Sequence, residues 1–444
     1  MTLATGLRGT AAVLCLGAAL TAAKAADAPA PDRGPWLRER IAAASPGELI
    51  EIPQGEYLGP FTIDKPLHLR GRGRAVLRGD GRTHVVAIRA PRVTIDGLEL
   101  GGSGMDLARD HAAIHITGDD AVIRGNRIVD SLHGVYVRKA NRVRVEGNTI
   151  VGRAETLELV DPSTRLPSPG EGELCAVTLN QNRRGNGLHF WNSTGHVIVN
   201  NVISGTRDGV YFSFVDNAEV RGNRISGVRY GLHYMYSDGN RFEDNVFQDN
   251  AAGAALMFSK EIVLRHNAFL ASRNHRAYGL LLQSVDDTQV IENRIVGNTI
   301  GLFVEGSHGN RFLGNRIAGN HVGVHISESS DANAFSRNSF SANLHPVEAT
   351  AAPGSNAWAI DGVGNLWEGA MRLDFDGNGI ADLPHRELDL FGAMRRPFPV
   401  IGLLAGSPGE RLLRFVHARA GLPGLPGVTD PAPLIRSTPG TAGR

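Results

Sequence analysis

The sequence predicts an all-β chain wound as a right-handed parallel β-helix, and three observations carry that expectation. An Asn-x-Ile/Phe tripeptide recurs about every 22 residues, starting at Asn126, Asn148, Asn201, Asn223, Asn245, Asn267, Asn293, Asn315 and Asn338. Usually eight residues after each Asn stands a glycine followed by a short apolar run: Gly134, Gly187, Gly209, Gly231, Gly253, Gly279, Gly301 and Gly323. Within each run the side chains alternate with a period of two, the mark of a strand with one buried face. A unit this short cannot bury its own apolar side, so it must stack on copies of itself.

Residues 1–25 read as a secretory signal peptide, with Arg8, an apolar stretch from Ala11 to Ala23 and small residues at Ala23 and Ala25. No later stretch is apolar for long enough to suggest a membrane span. Without the leader a single cysteine, Cys175, remains, so no internal disulfide forms. The formal charge of +1 falls to about −1 once Arg8 and Lys24 are removed, which leaves no basic excess for nucleic acid.

The β-helix is expected over residues 26–400. Trp36 to Ala44 has the pattern of a short amphipathic helix that caps the first turn, since raw strand edges invite aggregation. In each repeat the first and third residues after the glycine, such as Leu232 and Tyr234, form two buried columns, and the tripeptide Ile or Phe supplies a second inward strand. The Asn side chains stack on one another along the rod. A leucine-rich repeat horseshoe has a similar period, but these units show no segment of helical periodicity. Gly187 follows Asn148 by 39 residues rather than eight, which places an insertion loop near 153–185; Gly279 carries four extra residues. Such insertions loop out and often carry function. Residues 401–420 are expected to cap the far end, and residues 421–444, rich in Pro and Gly, to form a disordered tail.

The columns that should face solvent are not bland. The second residue after each glycine reads Tyr136, His189, Tyr211, His233, Ala255, Leu281, Phe303 and His325, and the fourth includes Trp191, Met235 and Met257. With Phe214, Tyr236 and Phe258 alongside, these columns predict an exposed strip of aromatic, histidine and methionine side chains. A strip of this kind marks a partner-binding surface, here His189, Trp191, Tyr211, Phe214, His233, Met235, Tyr236, Met257 and Phe258. Packing under the insertion is the plainer reading, and direct metal contact the sharper one, because the thioethers of Met235 and Met257 beside the imidazole of His233 suit Cu(I). Separately, Asp374, Asp376, Asn378, Ile380 and Asp382 fall at positions one, three, five, seven and nine of a calcium-type loop. Position twelve is His385 instead of Glu, and a turn held only by Asx hydrogen bonds is the alternative to bound Ca²⁺.

The segments GNGLHFWNS from Gly185, RDGVYFSFV from Arg207, RYGLHYMYS from Arg229, MFS from Met257 and YGLLL from Tyr278 resemble the NosD family of periplasmic maturation proteins for nitrous oxide reductase. GNLW from Gly364 and DFDGNGIADLP from Asp374 extend the likeness over nearly the whole mature chain. The resemblance implies a periplasmic, copper-binding, non-catalytic accessory protein. It would work with the membrane subunit and ATPase of an ABC transporter, and with a copper chaperone, to assemble the copper-sulfur centre of the reductase. The generic repeat by itself would also suit a polysaccharide lyase, epimerase or hydrolase. Such enzymes need clustered carboxylates on one strand face, and the outward columns offer Glu305 and little else.

Overall fold

The computed structural model describes residues 32–153, 184–274, 277–350, 354–388 and 427–436, with scattered positions between 407 and 416. It is a parallel β-solenoid in which each coil gives one strand to each of three sheets, of 12, 13 and 12 strands. In one coil these strands are Val197–Val199, Val202–Ser204 and Asp208–Asp216; the next supplies Glu219–Arg221, Arg224–Ser226 and Tyr230–Met235. Both columns predicted to be inward are buried, from Leu188 and Phe190 through Leu232 and Tyr234 to Val324 and Ile326.

The corner between the first two sheets is held by asparagine. Asn223 Oδ1 accepts both the backbone N–H and the side-chain Nδ2 of Asn201 at 2.9 Å, while Asn223 Nδ2 donates to Ile198 O at 2.9 Å. The same bonds repeat without a break from Asn126 to Asn365. A fully buried amide with all its partners replaces the water that a bent backbone would otherwise need. Across the insertion, Asn148 still meets Asn201 at 3.0 Å and Thr149–Val151 pairs in register with Val202–Ser204.

The recurring glycine has a steric cause. A Cβ at Gly231 would lie 2.5 Å from Gly253 O and 2.6 Å from the Phe247 ring, so the coils close on one another only where a side chain is missing. At the near end, helix α1 (Gly34–Ala43) sets Leu37 and Ile41 against the first coil. Arg38 donates to Leu58 O at 2.7 Å, and Lys65 to the carbonyls of Ala42 and Ala44 at 2.7 and 2.9 Å, fixing helix and rod to each other.

The far end departs from expectation. The tail was expected to lack a fixed fold, yet Gly427–Asp430 pairs antiparallel with His385–Leu388. Asp430 is fully buried and accepts hydrogen bonds from Asn365 N at 2.7 Å, Asn365 Nδ2 at 3.2 Å and Trp367 Nε1 at 2.8 Å. Its carboxylate stands where the next Asn of the ladder would stand, a need that Pro and Gly content does not reveal. All but a few scattered positions of the expected cap at 401–420, and the insertion at 154–183 with Cys175, lie outside the described residues, as does the signal peptide.

Candidate functional site

Strand pairing lines up the outward columns of the third sheet as the alternation requires. Tyr136, His189, Tyr211, His233, Ala255, Leu281, Phe303 and His325 are successive partners. Arg138, Trp191, Ser213, Met235 and Met257 form the neighbouring column, with Met235 directly opposite Met257. The rings follow one another along the rod in tilted and edge-on contacts: centroids lie 4.3 Å apart for Tyr136 and His189, 4.4 Å for His189 and Tyr211, and 4.8 Å for the edge-on pair Tyr211 and His233. The guanidinium of Arg138 lies 5.2 Å from the Trp191 ring centre.

The strip faces away from the core, but most of it is not open to solvent, contrary to expectation. Only 11% of the His233 side chain and 7% of Met257 is exposed. Met257 belongs to a second apolar cluster with Tyr230, Ala252, Ala255, Tyr278 and Leu281, against which Met235 packs. The exposed part is the neighbouring ladder of Phe214, Tyr236 and Phe258, at 53, 47 and 45%. Its rings stack at 5.1 and 5.2 Å and are nearly parallel. All three residues have left-handed backbone, φ +56°, +50° and +53°. For bulky side chains that conformation costs about 1–2 kcal/mol each, and such strain clusters at functional surfaces.

The proton positions separate the histidines. Backbone N–H groups of Ala112, Asp106 and Asn186 donate to Nδ1 of His84, His111 and His133 at 3.2, 3.3 and 2.9 Å. In each neutral ring the proton is then on Nε2, which has no lone pair for a metal. Burial keeps His84 and His133 neutral, with pKa values pushed down to about 4. It also pushes His115, stacked against His84 at 4.2 Å, down to about 3. His233 is the opposite case. Its Nδ1 lies 3.0 Å from Asp208 Oδ2, and a carboxylate can only accept, so in the neutral ring the proton sits on Nδ1 and Nε2 keeps its lone pair.

Asp208 was not among the residues expected from the sequence. Its side chain is 1% exposed and takes a two-pronged contact from Arg229, 2.9 Å from Nε and 2.7 Å from Nη2. Burial alone would raise its carboxyl, but hydrogen bonds from His233 and Arg229 hold it well below the usual carboxylate range. The signal was legible in principle. Arg229 and His233 follow Asp208 by 21 and 25 residues, about one repeat, so they fall on the next coil beside it.

The donor types at His233, Met235 and Met257 suit a soft cation, and strand register sets the three on one face, Met235 opposite Met257. Among the described residues, however, His, Cys, Asp and Glu form no group of three or more able to hold a metal. The calcium-type loop is held by its own hydrogen bonds: Asp374 accepts from Gly377, Asn378 and Gly379, and Asp382 from Phe375. Asp376 accepts from Asn378, and Asn378 Oδ1 from Ile380 N. His385, at the twelfth position, instead packs against Trp367 at 4.9 Å.

Fold and site together define a parallel β-helix with one outward face of stacked aromatics, imidazoles and thioethers. Residues 173–371 match the family model described as periplasmic copper-binding protein (NosD). The chain is 30% identical over 401 residues to a Pseudomonas aeruginosa protein named probable ABC transporter binding protein NosD, covering 87% of each chain. It is 29% identical to a protein of the same name from Stutzerimonas stutzeri, covering 87% of this chain and 86% of that one. The chain belongs to the NosD family. Among solved structures, the Yersinia enterocolitica family 28 exopolygalacturonase superposes with TM-score 0.50 at 11% identity, over 75% of this chain and 76% of that one. The N-terminal fragment of bacteriophage Phi29 gene product 12 gives 0.52 at 13% identity, over 74% and 68%. At such identities the likeness concerns the fold alone.

Proposed function

We propose that this protein is an exported periplasmic accessory factor that helps assemble the copper-sulfur centre of nitrous oxide reductase together with an ABC transporter and a copper chaperone. It carries no chemistry of its own. Copper is cargo, held by His233, Met235 and Met257, while His189, Trp191 and Tyr211 with the Phe214, Tyr236 and Phe258 ladder receive the protein partner. The observation that supports this most is the Asp208–His233 pair, which fixes the tautomer of an imidazole on the same strand face as the paired Met235 and Met257. Family membership and the printed names of the relatives support the transporter and copper parts. No helix among the described residues is long and apolar enough to cross a membrane, which is compatible with a partner that is itself membrane-bound.

The test replaces His233 by Gln and Met235 and Met257 by Leu, which remove the donor atoms but keep the volume packed in the apolar cluster. Cu(I) affinity should fall by at least tenfold and the reductase should emerge copper-deficient, with the melting curve of the rod unchanged. Full copper loading by that variant would remove the site. A polysaccharide enzyme is the rival. Its acid and base need carboxylates free to exchange protons, whereas Asp208 is locked in an ion pair with Arg229 and a hydrogen bond with His233. Turnover of any acidic or neutral glycan would reverse the order.

A further inference from the structure

Two buried polar atoms without partners lie on neighbouring coils where the chain enters the third sheet. Nε of Arg207 and Oδ1 of Asn186 are both buried and make no hydrogen bond. The two residues sit on neighbouring coils: Leu188 pairs with Val210, so Asn186 lies against Asp208, and Arg207 N donates to Gly185 O at 2.9 Å. The charges here do not balance. Arg207 and Arg229 share the single carboxylate of Asp208, and Arg229 takes both of its oxygens while His233 makes a third contact. Arg207 is left without an ion pair among the described residues. Burial and the nearby Arg229 both work against its charge. An unpaired, half-buried guanidinium is costly, and such groups call for a specific explanation.

We propose that Arg207 and Asn186 form a binding site for a carboxylate or small oxyanion at the edge where the chain enters the third sheet. Arg207 supplies the charge and the Nε–H donor; a guanidinium fork matches the geometry of such anions. Asn186 completes the site by a half-turn of its amide. Its Nδ2 now lies 3.2 Å from His189 Nδ1. The turn aims Nδ2 at the anion and puts Oδ1 beside that nitrogen. His189 then holds its proton on Nδ1, one proton returning to water from Nε2 and one arriving at Nδ1, and its Nε2 gains a lone pair on the face that carries His233. Anion occupancy thus sets the tautomer of a second imidazole. This inference stands without the copper reading, because neither the charge imbalance nor the orphaned atoms depend on a metal.

The experiment titrates the full chain with sodium acetate and sodium sulfate against sodium chloride at constant ionic strength. The readouts are the ¹⁵N resonances of the Arg207 Nε–H group and of the His189 ring. Saturable shifts of both with acetate or sulfate, weakened at least tenfold in Arg207→Gln, are expected for a free small anion. Shifts with a glutamate-rich peptide but not with the free salts assign the same site to an acidic side chain of a docked protein. Arg207→Lys keeps the charge without the Nε donor and should bind several-fold more weakly than wild type. If neither the salts nor the peptide move the wild-type resonances, water fills the space and the proposal fails. It fails equally if Arg207→Gln binds as wild type does, and the wild-type titration decides by itself should that variant not fold.

Discussion

At the scale of single residues, Asp208 organises the candidate site. Exchanging it for Asn keeps the shape but leaves Arg229 and His233 facing a neutral amide. Breaking a buried pair in this way costs about 3–5 kcal/mol, and losing the orienting carboxylate weakens metal binding by roughly 10- to 100-fold. Urea denaturation and Cu(I) competition titration measure the two effects separately. The buried imidazoles set an acid limit. His84 and His133 titrate near 4 in the folded chain against an ordinary 6.5, and burial is the main cause. Unfolded rings therefore take up protons that the folded rings refuse. Their contribution to stability is complete above pH about 6.5 and is lost as pH falls toward about 4, so the melting temperature should drop across that window. The outward position of His233 and Met235 was legible in the sequence from alternation alone. Their burial was not, because it depends on what packs over the strip, and no periodic pattern records that.

At the scale of the element, each coil is closed by one glycine and one asparagine. Gly231→Ala drives a methyl into Gly253 O and the Phe247 ring. The cost should be about 1–3 kcal/mol, typical of overpacking, read as a lower denaturation midpoint with an unchanged slope. The glycine period was visible from the start, but its steric reason needed coordinates, since it lies in the spacing between coils. The loop from Asp374 to Asp382 makes the reverse point. Its sequence fits a cation, yet its oxygens already accept from the loop's own amides, and a main-chain bond from Ala381 N to Pro433 O at 2.8 Å ties it to the tail. EDTA should leave the melting temperature unchanged, and calorimetry should find no calcium uptake; a chelator-sensitive transition would restore the cation.

At the scale of the whole molecule, stability is a sum over neighbouring coils. Damage at one end should therefore stay there. Asp430→Ala leaves two buried donors, Asn365 N and Trp367 Nε1, without an acceptor, at about 1–3 kcal/mol for each such group. Amide exchange should quicken around Phe340 and Trp367 while the coils from Asn201 to Asn267 keep their protection. Uniform acceleration along the rod would mean that the solenoid unfolds as one unit. The tail was misread because its role is a single carboxylate, and composition carries no trace of one.

That carboxylate also imposes an order of assembly. Asn223 and Asn245 are bonded to residues 22 positions away, so a growing chain can zip up coil by coil as it appears. Asn365 must wait for a residue 65 positions further on. Until then the growing rod has a sticky, unfinished tip, with the donors of Asn365 and Trp367 open to whatever meets them first.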